Sequence, residues 1–172
     1  LALAREAGRA VYLDLRAGLP SGLARWLEDP ARAKVAHAAK LTRLLLLGGA
    51  VEARGFEGDT QLASFLVDPV KLIPHRLDQI SKEYLQRPLP PEKRVRGSGK
   101  SEKTFRALDP EAVGPWAGRR AVAVFEAWPK LAEALEDEGQ MGQLRDVDLP
   151  LSALLARDRK STRLNSSHVC SS

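Results

Sequence analysis

The chain has 172 residues, of which 44% are apolar and 28% charged, and its formal net charge is +5. This length and apolar fraction suffice for one buried core, so a disordered chain or a multi-domain array is not expected. The longest apolar run, Leu44–Leu47, is far shorter than the roughly 20 residues of a membrane span. The single Cys cannot form an internal disulfide and no leader pattern is present, so we expect a cytoplasmic protein without a membrane partner.

The C-terminal segment 158–172 is expected to lie outside the fold. It is polar and aperiodic, and it follows an apolar helical pattern that ends near Arg157. The string from Asp158 to His168 resembles the translation of a common sequencing-library adaptor, so we interpret the segment as an artefact. Without it the net charge falls to +3, because three basic residues and one acidic residue are removed. The chain does not begin with Met, and we expect a fragment.

The first half of the chain predicts short strands and helices in alternation. Apolar alternation around Val11 with a charged, glycine-bearing break predicts a β-hairpin over Leu1–Leu15. A helix through residues 21–27 ends at Asp29, because the residue before Pro is biased away from the helical region. The next predicted elements are a buried strand at Lys34–Ala38, a helix at Lys40–Leu47 ended by two glycines, and a short strand at Ala50–Ala53.

The second half predicts helices. Asp59 is a good N-cap for a helix that closes at Asp68, and a further helix is predicted over Pro74–Gln86. Arg87–Lys103 predicts a long surface loop, and Asp109 begins a helix toward Leu135. After a break at Gly139–Gly142, the last helix carries Pro150 and an apolar stripe of Leu144, Val147, Leu151, Leu154 and Leu155. Strands followed by helices indicate an α/β domain with a small sheet.

Two motifs that would indicate a ligand site fail on their spacing. Gly97–Ser101 contains the Gly-Lys-Ser of a phosphate-binding loop, but Arg94 stands where that loop needs its first Gly and no strand precedes it. His37 and His75 lack the close spacing of zinc ligands and have no partnering Cys, so both are interpreted as structural.

Five short strings follow one another between Lys34 and Ser152. They are KVAHAAKLTR at Lys34–Arg43, DTQLASFL at Asp59–Leu66, GSGKSEKTF at Gly97–Phe105, WPKL at Trp128–Leu131 and DLPLS at Asp148–Ser152. Together they resemble the 3′–5′ exonuclease domain of bacterial family A DNA polymerases, the DNA polymerase I family. That family reads roughly K-V-G-Q-N-x-K-Y-D-R, D-T-M-L-x-S-Y-L, G-x-G-K-x-x-x-T-F, W-P-x-L and E-x-P-L at the corresponding places.

The resemblance implies a ribonuclease H-like α/β fold, a mixed sheet of strand order 3-2-1-4-5 flanked by helices. Its first, central strand would precede Leu1, so we expect residues 1–138 to be an N-terminally truncated exonuclease-like domain of low stability. Residues 139–157 would be the first helix of the polymerase domain. Their apolar stripe is expected to be exposed here and buried in the parent protein.

The family's chemistry is two-metal hydrolysis, in which carboxylates hold two divalent ions and a Tyr orients the attack. The resemblance places these functions on residues that cannot perform them. In the second motif the Asn and Asp positions fall on Ala38 and Thr42, and in the third the Tyr and Asp positions fall on Trp116 and Arg120. The first motif is not in the chain. We therefore expect no catalytic residue and no metal ligand here.

The resemblance thus implies a structural, inactive exonuclease-like domain of a polymerase that performs template-directed DNA synthesis. For the parent we expect Mg²⁺ as cofactor, DNA and the adjacent polymerase domain as partners, and a monomer. An active proofreading exonuclease with misplaced ligands is the first alternative. The second is a nucleic-acid-binding module, whose candidate phosphate-contacting residues are Lys93, Arg94, Arg96, Lys100 and Lys103.

Overall fold

In the computed structural model, which describes residues 1–70 and 74–158, short strands come first and helices follow. The strands are β1 (Ala2–Glu6), β2 (Arg9–Tyr12), β3 (Lys34–Ala36) and β4 (Phe56–Asp59). The helices are α1 (Ser21–Glu28), α2 (Ala39–Gly48), α3 (Thr60–Val67), α4 (Leu77–Leu85), α5 (Lys93–Arg96), α6 (Pro110–Asp137) and α7 (Met141–Gln143). Short 3₁₀ turns lie at Gly99–Ser101 and Phe105–Ala107. None of the helices in the described ranges is long and apolar enough to cross a membrane.

Strands β1 and β2 form the predicted hairpin. They pair antiparallel, with Ala2 opposite Tyr12 and Ala4 opposite Ala10. The turn residue Gly8 has a φ of 72°, a conformation that a Cβ atom disfavours and that glycine adopts without penalty. The alternating apolar pattern of this segment therefore predicted the pairing, and a glycine supplies the turn that it needs.

The second ladder corrects one prediction. Strand β3 pairs in parallel with β4, so that Ala36 lies opposite Asp59, whereas residues 51–55 are not a strand. The strand predicted at Ala50–Ala53 is wrong because its apolar alternation has another cause. Val51 and Ala53 are buried in a small cluster with Leu27 and Leu46, which gives a two-residue period without a ladder.

The segment between α4 and α6 is more structured than the predicted loop. Arg87–Lys103 contains α5 and the 3₁₀ turn at Gly99–Ser101. The short helix α5 is stabilised by an ion pair between Glu92 and Arg96, four residues apart, which places the two side chains on one helical face. Gly97 follows with a φ of 78°, which ends the helix.

The last helix contains a local widening. It begins at α7, passes through a π-helical segment at Leu144–Asp148 and continues as α-helix over residues 149–158, and we call these three stretches the C-terminal helix. Pro150 lies just beyond the π segment. It cannot donate the hydrogen bond to the carbonyl four residues earlier, and its ring would clash with that group, so the helix widens there. The C-terminal helix includes Asp158, and the rest of the predicted artefact lies outside the described residues.

The core lies along α6. This helix contacts both ladders, α3 and α4, and it buries Ala127, Leu131 and Leu135 against Ile80 of α4. The indole of Trp128 lies on Gly58 so closely that a Cβ there would come within 2.5 Å of the ring. An antiparallel hairpin and a parallel pair covered by helices form the mixed α/β arrangement of a ribonuclease H-like domain.

The apolar stripe of the C-terminal helix was predicted to be exposed, and this is only partly correct. Leu144 is buried in the main core cluster together with Met141 and Leu149. The other members of the stripe are exposed, and they are Val147, Leu151, Leu154 and Leu155. One face of this helix thus belongs to the core of the domain, and the opposite face presents leucines to solvent.

Candidate functional site

The candidate site lies where the parallel strands β3 and β4 end. His37 and Ala38 follow β3, Asp59 is the last residue of β4, and Thr60 begins α3. Since the carboxyl ends of parallel strands meet at one edge of a sheet, these four residues are brought together. Open α/β sheets place their ligand sites at this edge.

Asp59 holds the two helices that start at this edge. Its buried carboxylate accepts hydrogen bonds from the backbone N–H groups of Gln61 at 2.8 Å and Leu62 at 3.4 Å, which makes it the N-cap of α3. It also accepts from Ala38 at 3.0 Å and Ala39 at 2.6 Å, where α2 begins. Both carboxylate oxygens are therefore occupied by backbone donors, and the single acid of this edge is structural.

His37 is held neutral beside this carboxylate. Its Nδ1 atom lies 3.0 Å from the hydroxyl oxygen of Thr60. Burial lowers the pKa of the imidazole from 6.5 to about 4, the negative charge of Asp59 opposes this, and the positive charge of Arg120 adds to it. His75 makes a similar contact with the next turn of α3, where its Nδ1 atom lies 2.9 Å from the hydroxyl oxygen of Ser64. Both histidines pack as structural residues, in agreement with the sequence analysis.

Ala38 and Thr42 occupy the two positions that the resemblance assigns to the second exonuclease motif. Ala38 has a φ of 59°, a left-handed conformation unusual for alanine, and its N–H is fixed by Asp59. The Thr42 hydroxyl donates to the Ala38 carbonyl at 3.4 Å, which is a common back-bond of threonine within a helix. Neither side chain presents a negative charge to the site.

Trp116 and Arg120 occupy the positions assigned to the third motif, one turn apart on α6. The guanidinium of Arg120 lies over the Trp116 ring, with its central carbon 5.0 Å from the ring centre. Arg120 is half-buried, which lowers the pKa of its guanidinium, while the charges of Asp78 and Glu92 oppose this shift. The described residues form no ion pair with it at contact distance. The positive charge of Arg120 also helps to lower the pKa of His37, the residue that follows β3.

Trp116 anchors the segment that follows α4. Its indole Nε1 donates to the Pro90 carbonyl at 3.0 Å, and its ring packs on Phe105 with 5.3 Å between ring centres. Arg96 in turn lies over Phe105, at 5.3 Å. The residue at the Tyr position is thus used for packing.

These residues do not fit a pair of divalent metal ions. Mg²⁺ prefers carboxylate and water oxygens. The assigned positions offer a threonine hydroxyl, an alanine and a guanidinium, and the neighbouring Asp59 is already saturated. Among the described residues, no three His, Cys, Asp or Glu side chains converge where a metal could bind.

Of the five basic residues predicted to contact phosphates in a nucleic-acid-binding module, Arg96 differs from the other four in its partners. Arg96 is engaged by Glu92 and, at 2.8 Å, by Glu102, and its Nε donates to the Lys103 carbonyl. Lys93, Arg94, Lys100 and Lys103 have exposed side chains. In the glycine-rich string, the Ser101 hydroxyl donates to the Ser98 carbonyl, so the string closes on itself as a turn. The intramolecular role of Arg96 was not predicted, although the Glu92–Arg96 spacing of four residues was a signal for it.

Comparison with known proteins gives a consistent result. Residues 1–126 match the family described as "DNA polymerase I, ribonuclease H-like domain". DNA polymerase I of Rhizobium leguminosarum is 32% identical over 145 residues, which are 84% of this chain and 14% of that protein. DNA polymerase I of Mycobacterium bovis is 30% identical over 164 residues, 91% of this chain and 17% of that protein. The chain therefore spans less than a fifth of these curated relatives.

Solved structures agree with the fold. One is described as the "POL domain of Pol1 from M. smegmatis complex with DNA primer-template and dNTP". It superposes with a TM-score of 0.69 at 28% identity, covering 86% of this chain and 23% of that one. A second, the "apo form of the nuclease", gives a TM-score of 0.65 at 21% identity, covers 81% of this chain and 63% of that chain, and supports the fold alone.

Proposed function

Since the chain belongs to the DNA polymerase I, ribonuclease H-like domain family, we propose that it is an exonuclease-like domain that has lost metal-dependent hydrolysis and serves a polymerase as a structural domain. The observation that carries this proposal is the half-buried guanidinium of Arg120, which lies over the Trp116 ring on α6 and whose positive charge acts on His37 after β3. The position that the family fills with a metal-binding Asp thus carries a fixed positive charge.

The magnitude of this effect supports the loss of metal binding. Two unit charges 4 Å apart near a protein surface interact by about 4 kcal/mol, so a divalent ion at that distance would be repelled by about twice as much. The hydroxyl of Thr42 offers at most one neutral oxygen and is bonded to Ala38. Arginine cannot relieve the repulsion by losing its proton at neutral pH.

The structural role rests on how the domain holds its last helix. The C-terminal helix buries Leu144 and Leu149 in the core and leaves a leucine-rich face exposed. In the proposal, residues 1–138 form the exonuclease-like domain and residues 139–157 begin the polymerase domain, which would cover that face. The activity of the whole protein would be template-directed DNA synthesis with Mg²⁺ by a monomer, with DNA as its partner. The DNA synthesis and the DNA partner are supported by the name of the curated relatives and by the primer-template complex of the M. smegmatis protein.

The test compares metal binding and end degradation in the longer protein that includes the residues upstream of Leu1. Calorimetric titration with Mn²⁺ or Mg²⁺ is paired with degradation of a 5′-labelled single-stranded oligonucleotide from its 3′ end. The protein used carries substitutions of the metal ligands in the polymerase region. Any metal that it binds is then bound by the exonuclease-like domain. We expect no metal bound at the exonuclease-like domain and no shortening of the oligonucleotide.

The matched variant restores the family's carboxylates through Thr42→Asp and Arg120→Asp in the same protein. We expect this variant to gain metal binding, because two negative charges replace a hydroxyl and a cation. Stoichiometric metal binding with end degradation by the unaltered protein would show that Thr42 and Arg120 are not the ligand positions. The domain would then be an active two-metal exonuclease.

A further inference from the structure

A groove of about 920 Å³ opens between the hairpin, the proline-rich segment after α4 and the first half of α6. Its walls include Tyr12 of β2, Pro88 and Pro90 of the proline-rich segment, Arg94 of α5, and Gly118 and Arg119 of α6. The size is that of a site for one or two nucleotides or a short peptide.

The groove lies on the opposite side of α6 from the candidate nuclease site. Residues two apart on an α-helix are separated by about 200° around its axis, since each turn has 3.6 residues. Gly114 and Gly118 line the groove, whereas Arg120, two residues after Gly118, lies on the other side of the helix, where its charge acts on His37. A ligand in this groove would therefore not contact Arg120, while Trp116 supports one wall through its hydrogen bond to the Pro90 carbonyl.

The groove is lined by cations. Arg87, Arg94 and Arg119 are among its walls, and no carboxylate is among the residues that line it. Arg87 is paired with Glu126, which also accepts the backbone N–H of Gly8 at 3.0 Å and so ties the hairpin turn to the groove. Arg94 and Arg119 are exposed, and within residues 1–70 and 74–158 they have no ion-pair partner. Two guanidiniums are thus available to an anionic ligand.

The remaining walls are apolar and rigid. Tyr12 lies against the backbone of Gly114, and Ala10 lies against Gly118, so the hairpin approaches α6 closely. The prolines on the other side have a fixed backbone and add no hydrogen-bond donor. An aromatic ring beside two arginines is the combination that binds single-stranded nucleic acids, because bases stack on the ring while phosphates pair with the cations.

We propose that this groove binds a single strand of DNA, with Arg94 and Arg119 on its phosphates and Tyr12 against a base. A single strand fits better than a duplex, since an aromatic wall can contact a base only when that base is not already stacked inside a helix. Arginine suits phosphate recognition through its planar, two-pronged donor geometry. The binding requires no metal, so it does not depend on whether the domain hydrolyses DNA.

The test uses the 172-residue chain and a fluorescein-labelled oligo-dT of 15 nucleotides, measured by anisotropy in EDTA as the salt concentration is raised. EDTA keeps the measurement separate from any metal-dependent nuclease. We expect Arg94→Glu with Arg119→Glu to weaken binding at least tenfold. The slope of log affinity against log salt should become shallower by about 1.4, because each lost phosphate contact contributes about 0.7 for a single strand.

The matched control reverses two exposed arginines on other helices, Arg25→Glu with Arg145→Glu, and should change the affinity less than twofold. The single variant Arg119→Glu separates the groove from the 93–103 loop, since Arg119 lies on α6. We expect it to weaken binding, while Lys100→Glu with Lys103→Glu leaves binding unchanged. All four arginines are exposed, and matching circular dichroism and melting temperatures confirm that the variants fold.

Several outcomes would overturn the proposal. Equal weakening by the groove pair and the control pair would mean diffuse attraction to a basic surface. If only the Lys100→Glu, Lys103→Glu variant lost binding, the site would lie in the 93–103 loop and not in the groove. Duplex DNA that binds as tightly as oligo-dT would remove the single-strand assignment. Displacement of the oligonucleotide by poly-glutamate of equal charge concentration would indicate an acidic protein partner instead.

Discussion

His37 shows how one buried side chain makes the stability of the domain depend on pH. The ring is held neutral next to Thr60, and burial lowers the pKa of His37 from 6.5 to about 4. The unfolded chain therefore binds a proton at a pH where the folded chain does not. The contribution of neutral His37 to the free energy of unfolding is fully present above about pH 6.5, and it is lost as the pH falls from 6.5 to 4.

For the His37→Gln variant we expect a flatter dependence of the unfolding free energy on pH than for the natural chain. The contribution lost by the natural chain over this range is about 3 kcal/mol, since each pKa unit corresponds to about 1.4 kcal/mol. Urea unfolding at several pH values between 7 and 4 measures it. Parallel profiles for the natural chain and the His37 variant would disprove the assignment.

At the residue scale, the sequence predicted the identity of the site and missed its internal bonding. The string around Lys34 predicts Thr42 at the carboxylate position of the second motif, and a separate alignment of the third motif predicts Arg120 at its Asp position; both assignments stay predictions. Asp59 was predicted as a cap for α3 alone. Its second role at α2 depends on β3 and β4 lying side by side, and no local pattern contains that information.

Asp59 links two elements, which gives it a larger energetic role than an ordinary N-cap. Its carboxylate accepts from the first turns of both α2 and α3. A capping side chain contributes about 1 kcal/mol for one helix, and leaving buried N–H groups without a partner adds about 1–3 kcal/mol. The residue therefore stabilises the junction of two helices at the edge of the parallel ladder.

We expect Asp59→Ala to lower the unfolding free energy by about 3 kcal/mol, because two buried helix starts lose their acceptor. The matched control is Asp109→Ala, which removes an exposed cap from α6 alone and should cost about 1 kcal/mol. Chemical denaturation of both variants supplies the comparison. If the two substitutions cost the same, the second set of hydrogen bonds to α2 contributes nothing to stability.

Among the elements, those with strong end signals were predicted well and those that depend on distant partners were not. Helices α1, α3 and α6 begin and end close to where Ser21, Asp59 and Asp109 and the following breakers indicated. Strand β4 was missed, because the sequence FEGD has one large apolar residue and its pairing is supplied by β3. The π segment before Pro150 was also missed, although a spacing of five between Leu144 and Leu149 fits a wider turn.

On the scale of the whole molecule, α6 joins parts that are otherwise separate. The two ladders share no strand pairing, and α6 packs on both of them. The same helix separates the candidate nuclease site on one side from the cationic groove on the other. The fold class followed from the order of strands and helices. This arrangement around one long helix did not, because it is set by contacts between residues far apart in the chain.

Arg43 adds polar contacts to the apolar packing that holds the C-terminal helix on the rest of the molecule. This buried guanidinium of α2 donates to the Leu149 carbonyl at 3.2 Å and to the Ser152 hydroxyl at 2.7 Å. It also lies over the ring of Phe56, 4.5 Å from its centre. The three contacts connect α2 with β4 and with the C-terminal helix, whose contact residues lie more than one hundred residues after Arg43 in the sequence.

We expect Arg43→Ala to detach the C-terminal helix while the remaining helices stay folded. A buried hydrogen bond to a charged group contributes about 1.5–3 kcal/mol, so local opening of the helix should become at least tenfold more frequent. Hydrogen exchange followed by mass spectrometry measures this directly: the amides of residues 141–158 should exchange faster, and those of α4 should not.

The matched control is Arg25→Ala on α1, an exposed arginine whose removal should leave every segment unchanged. Arg43→Met adds a second comparison, because it keeps most of the buried volume and removes the donors. If the methionine variant exchanges like the alanine variant, the hydrogen bonds to Leu149 and Ser152 hold the helix. If it exchanges like the natural chain, packing alone holds it. Faster exchange throughout the chain would show instead that the C-terminal helix opens only together with the whole core.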